Sequence, residues 1–394
     1  MDKPSKLNKS VNFSFGSSGI VYRFLLWTRL TKKPLVLYKW RIMIICLFAW
    51  LPLLILSIFS GLAFSNVKVP FIYDINVHVR FLISLALLFL AEIVAHDRLQ
   101  IIVQHFLECN IIPTKEKQRF NSIITSTMRL INSNVVEILL IIFVIIVGHK
   151  ISTAYFPFGV SNWYATNINN TLQLTLPGYW YAFISLPLFQ FILLRWYYRI
   201  AIWYRFLWQV SRLPLQLNSL HPDRAGGIGF LANSVYAFEP LLLAHSVLLA
   251  GMLFNRIWYA GATLLQFQGE IISIMIFLIF LPLMPLVFFI FAMINAKRNG
   301  TLAYDTVANR YVSSFRKKWI DTESNNDTLL GTSDIQTLAD LGNSFLASSQ
   351  MRIVPFSRNN IISIVILTAL PLIPLIITIM PLEKIISQFF GVVF

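Results

Sequence analysis

The chain contains, at residues 271–293, the uncharged run IISIMIFLIFLPLMPLVFFIFAM. A helix needs about 20 mostly apolar residues to cross the hydrocarbon core of a bilayer, and this run is long enough. Hydrophobic residues make up 57% of the chain and charged residues 12%, against roughly 45–50% and about 25% in soluble domains. The sequence therefore predicts an all-α, polytopic membrane protein.

Six further apolar segments resemble this run, and together they predict seven spans. The spans are expected at residues 42–64, 79–95, 135–148, 178–194, 238–256, 271–293 and 360–380. The predicted organisation is a basic segment at 1–41, spans one to six within 42–296 with extensions at 96–134 and 195–237, a helical segment at 297–359, and span seven with a short tail at 360–394.

The distribution of basic residues predicts the orientation of these spans. Segments 1–41, 96–134, 195–237 and 297–359 carry 9, 5, 5 and 8 of the 32 Lys and Arg residues, whereas the alternating segments carry 2, 1, 1 and 1. Basic residues concentrate on the cytoplasmic side of membrane proteins. We therefore expect the N-terminus inside and the C-terminus outside. The same bias accounts for the net charge of +15, so no nucleic-acid partner is expected.

The segments on the predicted inner side have helical patterns of their own. Apolar side chains at spacings of three and four follow span six and recur after the linker 321–332. The first stripe comprises Tyr304, Ala308, Tyr311, Phe315 and Trp319, and the second comprises Leu338, Leu341 and Phe345. The spans are thus expected to extend into a helical bundle in the cytoplasm.

The segment 221–231, His-Pro-Asp-Arg-Ala-Gly-Gly-Ile-Gly-Phe-Leu, joins spans four and five and concentrates unusual residues. Three glycines permit backbone conformations that other residues avoid. One interpretation is a structural elbow; another is binding of an anion or lipid phosphate by backbone amides and a guanidinium. Its candidate functional residues are His221, Asp223, Arg224, Gly226, Gly227 and Gly229. No metal site is expected, because further ligands cannot be named, and no cofactor is expected.

Ionisable residues at the predicted inner ends of the spans form a second candidate site. Ionisable groups within a membrane are costly and usually pair with one another or line a wet cavity. They are therefore either ion pairs that hold helices together or the lining of an inner vestibule, with Glu239 predicted to couple to an arginine of span four. For the histidine, a neutral hydrogen bond across helices and a proton-linked role both stay open. This set comprises Glu92, Glu137, Glu239, Arg195, Arg199 and His245.

Spans six and seven share the phrase Leu-Pro-x-x-Pro. Proline inside a helix removes a backbone hydrogen bond and kinks the helix. These positions are either gating hinges or elements of curved packing. The candidate hinge residues are Pro282, Pro285, Pro371 and Pro374.

The motif HPDRAGG at 221–227, LLGTSDIQTLADL at 329–341 and the segment 351–356 resemble a family of uncharacterised bacterial inner-membrane proteins. The resemblance implies a multi-pass protein of the bacterial inner membrane but no particular activity. The topology separately resembles the seven-transmembrane ion-channel superfamily that includes insect chemoreceptors. The shared features are seven spans, an inside N-terminus, an outside C-terminus close after the last span and helices that extend into an inner bundle.

Three hypotheses for function follow from the sequence. The first is a channel or permeation protein, assembled as a homo-oligomer through the inner bundle, with an unknown ion or substrate. The second is a membrane-embedded enzyme or lipid-handling protein that uses the loop 221–231. The third is a membrane sensor or scaffold that recruits a partner. The sequence lacks the catalytic motifs of common hydrolases and metalloproteases, which makes an enzyme the weaker hypothesis.

Overall fold

A computed structural model describes residues 38–148, 162–168, 171–321 and 333–376. Residues 1–37 of the basic segment, residues 322–332 of the predicted linker and residues 377–394 lie outside the described residues. The described part is mostly helical, as the composition predicts. Its apolar helices are consistent with an integral membrane protein.

Six helical segments are long and apolar enough to cross a bilayer. They are α1 (Tyr38–Phe59), α2 (Ile75–Glu108), α5 (Leu176–Ser211), α7 (Glu239–Ala260), the segment Leu264–Trp319 with its helices α8 (Gln268–Leu283) and α9 (Ile290–Trp319), and α11 (Arg358–Ile376). Between them lie the shorter helices α3 (Lys117–Ile131), α4 (Asn134–Phe143, continued as a π turn Val144–Gly148), α6 (Asn233–Ala237) and α10 (Ser333–Ser349).

The predicted third span is the one that falls short. Residues Asn134–Gly148 reach spanning length only together with Thr114–Ile131, and the two helices are bent by 41° where they meet. At 1.5 Å per residue the helix Asn134–Gly148 is about 22 Å long, less than the hydrocarbon thickness of about 30 Å. The described residues therefore contain six spans, or seven if the bent pair is one span; the sidedness of the termini stays a prediction.

One end of the bundle, which we call the hairpin end, is covered by a two-stranded antiparallel sheet that the sequence did not predict. Strand β1 (Ala165–Ile168) pairs with β2 (Thr171–Leu174). Trp163, next to β1, is fully buried, and its Nε1 donates a hydrogen bond to Asp74 Oδ2 at 2.8 Å. The hairpin is thereby fixed to α2, which begins one residue after Asp74.

The other end, which we call the extended end, carries the helices that continue beyond the spans. The apolar stripes of α9 and α10 pack together, as their spacing predicts. The Tyr311 hydroxyl donates to the Asp334 carbonyl at 3.0 Å, and Trp319 Nε1 donates to Asp334 Oδ2 at 2.9 Å. Helix α3 packs on the last turns of α5, through Phe120 and Phe206, whose ring centres are 6.2 Å apart.

The helix is irregular at both Leu-Pro-x-x-Pro motifs. Pro282 lies inside α8, and a 3-10 turn at Met284–Phe289 joins α8 to α9. In α11, Leu370–Leu372 forms a 3-10 turn around Pro371 and precedes Pro374. The two interrupted spans contact each other. The sequence thus correctly located the breaks, although geometry alone does not make them hinges.

Candidate functional site

A carboxylate of α2 forms the centre of a buried cluster of charges toward the extended end. Glu92 Oε1 accepts hydrogen bonds from Arg195 Nη1 at 2.7 Å and Arg199 Nη1 at 3.0 Å. Its other oxygen, Oε2, accepts from Arg41 Nη2 at 3.1 Å. Arg195 Nε lies 3.0 Å from Glu137 Oε1. These five residues, the ion cluster, connect four helices: α1, α2, α4 and α5.

Local packing fixes the arginines in this arrangement. Arg195 and Arg199 are four residues apart, so both project from one face of α5. Between them, Trp196 donates its Nε1 hydrogen to the Leu88 carbonyl at 2.9 Å. The Arg41 guanidinium lies 5.2 Å from the ring centre of Phe89 on α2, a cation–π distance. The guanidiniums are therefore held by aromatic residues as well as by carboxylates.

Burial determines what this cluster can do. The five side chains are between 3% and 11% exposed, so the groups do not line an open vestibule in this structure. Charges that leave water need partners with good hydrogen-bond geometry, and here each carboxylate meets at least one guanidinium. The arrangement corresponds to the interpretation in which ion pairs hold the helices together. Three guanidiniums face two carboxylates, so the described cluster has a formal charge of +1.

Two of the predicted residues lie outside the ion cluster. Glu239, the partly buried first residue of α7, interacts electrostatically with Arg98. The described contacts include no ion pair of Glu239 with Arg195 or Arg199, since these arginines meet the carboxylates of α2 and α4; the predicted coupling stays a prediction. A similar position along the spans did not determine which helices lie next to each other.

His245 lies in α7 and makes two hydrogen bonds. Its Nδ1 is 2.7 Å from the Leu241 carbonyl, and its Nε2 is 2.7 Å from the Tyr197 hydroxyl of α5. Because a carbonyl only accepts, Nδ1 carries a proton, and Nε2 can accept from the tyrosine. The geometry suits a neutral imidazole that joins two helices, which is one of the two interpretations that the sequence left open.

The loop 221–231 is organised by its own carboxylate. Asp223 Oδ1 accepts from the backbone N–H groups of Ala225 at 2.7 Å and Gly227 at 3.2 Å, and Oδ2 accepts from that of Gly229 at 2.8 Å. The imidazole Nδ1 of His221 lies 2.9 Å from Oδ1. The N–H groups of Gly227 and Gly229, which were candidates for binding an anion or lipid phosphate, thus donate to Asp223; binding of such a ligand at this loop stays a prediction.

These hydrogen bonds also set the ionisation of Asp223. Partial burial alone would raise the pKa of this carboxyl. The N–H groups of Ala225, Gly229 and Gly227, together with His221, outweigh burial and lower the pKa below its ordinary value of 3.8. Asp223 is therefore a carboxylate at neutral pH, with the fixed structural role of closing the loop.

The rest of the loop has the features of an elbow. Arg224, Gly226 and Gly227 have positive φ angles of 53°, 71° and 94°. A Cβ at Gly226 would lie 2.7 Å from the end of the Met351 side chain. Arg352 of the segment before α11 donates from Nη2 to the Asp223 carbonyl and from its backbone N–H to the Arg224 carbonyl, each at 2.7 Å. The loop thus contacts the segment 351–356, another of the stretches that the sequence singled out.

Sequence reasoning missed two parts of this arrangement. Arg41 was assigned to the basic flank of the first span, although it is a member of the ion cluster. At the hairpin end, Asp74 is 4% exposed and accepts from Asn255 Nδ2 at 2.7 Å and from Trp163. Only its position before an apolar run, with an Asn and a Trp near the same end, could have indicated that it is buried.

Comparisons with known proteins give no relative for this chain: no family model, no curated protein and no solved structure matches it. Within the ranges that the structure describes, no group of three His, Cys, Asp or Glu side chains could hold a metal ion. The apolar helices are those of a multi-pass membrane protein.

Proposed function

We propose that the protein is a channel or permeation protein that works as a homo-oligomer. The proposal rests on how a missing backbone hydrogen bond is replaced at the proline break in the sixth span. Pro285 has no N–H to donate to the carbonyl four residues earlier, which is that of Leu281. The Tyr204 hydroxyl of α5 donates to this Leu281 carbonyl. A side chain of one span thus completes the backbone of another at a candidate hinge.

A second side-chain bond of this kind supports the proposal at span seven. The Ser246 hydroxyl of α7 donates to the Thr368 carbonyl, two residues before the 3-10 turn at Leu370–Leu372. Both serine and threonine are fully buried. A hydroxyl that completes an irregular helix can exchange with the helix's own backbone at low cost. Two adjacent spans that carry such breaks form the pair of gating elements in this proposal.

The surface of the extended end supports assembly from several copies. On α10, Ile335, Ala339, Gly342 and Leu346 follow a spacing of four, three and four, and all four are exposed. At 3.6 residues per turn they form a stripe about 100° around the helix from Leu338, Leu341 and Phe345. Gly342 weakens a helix by about 1 kcal/mol relative to alanine, yet a Cβ there would meet nothing within 4 Å. A glycine in such a stripe permits close approach of another helix.

The resemblance of the predicted topology to the seven-transmembrane ion-channel superfamily agrees with this proposal, as does the resemblance of the loop motifs to inner-membrane proteins. A bacterial inner-membrane location is part of the same proposal. The exposed face of α11 is apolar, with Ile362, Ile366 and Ile373 on it. A pore that this face lined would be hydrophobic and would gate by dewetting.

Flux through reconstituted liposomes tests the channel proposal directly. Wild-type protein should pass small ions, and Tyr204→Phe should change the open fraction several-fold because the Leu281 carbonyl loses its donor. Tyr198→Phe is a matched control: its hydroxyl also donates to a backbone carbonyl, that of Leu130, at 2.9 Å, but no proline break is involved. Absence of wild-type flux across a panel of ions, or equal effects of the two variants, would contradict the proposal.

A sensor or scaffold is the second candidate function, favoured by the exposed α10 stripe. Subunit counting by photobleaching separates the two. Several copies per particle, reduced by Leu346→Lys, support the homo-oligomer; a monomer insensitive to that change supports recruitment of a different partner. The enzyme or lipid-handling hypothesis at 221–231 loses support, because Asp223 is committed to the loop backbone.

A further inference from the structure

A histidine at the hairpin end joins the first span to the start of the second. His78 lies on the first turn of α2, and its Nδ1 is 2.8 Å from Nε1 of Trp50 on α1. Its Nε2 is 3.0 Å from the carbonyl oxygen of Ile72, which belongs to the 3-10 turn Phe71–Tyr73 before α2. The side chains of His78 and Trp50 are both partly buried. The imidazole therefore uses both of its nitrogens in contacts between separate elements.

The two partners of His78 specify its protonation state. An indole N–H only donates a hydrogen bond, and a backbone carbonyl only accepts one. The Nδ1 of His78 therefore accepts from Trp50 and carries no proton, whereas its Nε2 carries the proton that it donates to Ile72. A second proton on the ring would have to bind at Nδ1, where it would meet the indole N–H across 2.8 Å. The hydrogen bond from Trp50 thus exists only while His78 is neutral.

This hydrogen bond belongs to an aromatic cluster that also contacts the β-hairpin. The fully buried ring of Phe71 packs against His78 and Trp50, with its centre 5.1 Å and 5.9 Å from theirs. The same ring lies 5.0 Å from that of Trp163, which is next to β1 and donates to Asp74. Loss of the hydrogen bond from Trp50 would therefore loosen α1 at the turn on which the hairpin packs.

No described ion pair fixes the charge of His78. Residues 42–59 of α1 and the described residues of the hairpin carry no charge. The oxygens of Asp74 accept from the hairpin, from α7 and from the first turn of α2. The Arg80 guanidinium donates to Tyr181 of α5. The other titratable groups on the elements at this end are Lys68, Tyr73, Tyr164, Tyr259, Arg256 and Glu270, of which the last two pair with each other.

We propose that Trp50 and His78 form a pH-sensitive lock at the hairpin end. At neutral pH His78 accepts from Trp50 and holds α1 against the turn Phe71–Tyr73. When the solution at this end becomes acidic, a proton binds to Nδ1 and the indole loses its acceptor. Histidine is the side chain whose charge changes between about pH 5 and pH 8. The contact therefore stabilises the fold when His78 is neutral, and its contribution is lost as the pH falls. The lock does not depend on channel activity.

The contribution of Trp50 at two pH values tests the proposal on the full-length protein in micelles. Trp50→Phe keeps an aromatic ring but removes the N–H group. At pH 8 it should lower the folding equilibrium constant several-fold, because a hydrogen bond between neutral groups is lost. At pH 5 it should change that constant by less than about twofold, as expected for groups that no longer interact. In a His78→Gln background, whose amide does not titrate, the effect of Trp50→Phe should be equal at both pH values.

Tyr197→Phe is the matched control, because its hydroxyl also bonds to an imidazole nitrogen, Nε2 of His245. A hydroxyl, unlike an indole N–H, can also accept from a protonated imidazole. The effect of Tyr197→Phe should therefore not decrease at pH 5.

Hydrogen exchange of the wild-type protein is a second measurement that needs no variant. After correction for the intrinsic rate, residues 70–80 should exchange several-fold faster at pH 5 than at pH 8, whereas residues 239–250 should not. Three results would each overturn the proposal: an equal effect of Trp50→Phe at both pH values in otherwise wild-type protein, a pH dependence that persists in His78→Gln, or equal protection of 70–80 at both pH values.

Discussion

The ion cluster and the loop 221–231 both place a carboxylate among several donors, but they recruit those donors differently. Asp223 takes its three backbone donors from positions two, four and six residues along the chain. Glu92 takes its donors from arginines 51, 103 and 107 residues away. The loop closes on itself, whereas the cluster closes only when four helices are assembled. The loop is stabilised by local contacts, whereas the ion cluster is made of tertiary contacts.

The largest effect that this comparison predicts is at Glu92. Glu92→Gln leaves three arginines with one carboxylate in a buried site, and breaking a buried ion pair costs about 3–5 kcal/mol. We expect a loss of this size in the free energy of unfolding, measured in mixed micelles with a denaturing detergent. Glu239→Gln is the control and should cost less than about 1 kcal/mol. Equal losses in the two variants would mean that the ion pairs of Glu92 stabilise the protein no more than the contacts of Glu239 do.

A smaller loss is expected in the loop. Asp223→Ala leaves three N–H groups without an acceptor, and an unsatisfied buried donor costs about 1–3 kcal/mol. Arg224→Ala changes an exposed side chain at the next position and should shift stability by no more than about 0.5 kcal/mol. Thermal unfolding of the purified variants measures both. If Arg224→Ala were the more harmful change, the loop would depend on its guanidinium and not on its carboxylate.

The hydrogen bond between Tyr197 and His245 should contribute less to the free energy of unfolding than the contacts of Asp223 do. Tyr197→Phe removes a neutral hydrogen bond between two helices, which is worth about 0.5–1.5 kcal/mol. Unfolding under the same conditions as for Glu92→Gln gives the value. A loss comparable to that of Glu92→Gln would show that the cluster is not the dominant polar contact between the spans.

The weakest expected effect is a dependence on pH that is confined to the loop. Since the folded pKa of Asp223 is lowered, its contribution to stability is present above the ordinary value of 3.8 and is lost as the pH falls through the folded pKa. Hydrogen exchange of the backbone at 218–232, corrected for the intrinsic rate, should therefore accelerate in acid. Asp223→Asn should abolish this dependence. Acceleration that persists in Asp223→Asn would assign it to another group.

The sequence predicted what depends on local pattern. Apolar runs located six helices that are long enough to span a membrane, Leu-Pro-x-x-Pro motifs located the breaks in α8 and α11, and the glycines of 221–231 indicated an elbow. Helical spacing also predicted the contact between α9 and α10. Each of these signals lies within about twenty residues, where composition and periodicity determine the outcome.

The partners of buried charges could not be predicted in this way. Depth along a span can be read from the sequence, and it correctly grouped Glu92, Glu137, Arg195 and Arg199. Rotation about the helix axis and the order of helices in the bundle are set by packing over the whole chain. For that reason the sequence did not indicate that Glu239 lies outside the contacts of the ion cluster, and Arg41 was overlooked. The β-hairpin was missed because strands of four residues carry too little alternation to predict.

A pair of double-mutant cycles tests the central claim, which is that Arg195 is paired with the carboxylates of α2 and α4. The first cycle combines Glu137→Gln with Arg195→Gln, and the second combines Glu239→Gln with the same arginine change. Residues in contact show coupling of about 0.5–3 kcal/mol, whereas independent sites add to within about 0.3–0.5 kcal/mol. We expect coupling in the first cycle and additivity in the second. Additive losses for Glu137 with Arg195, or stronger coupling for Glu239 with Arg195, would contradict the ion cluster.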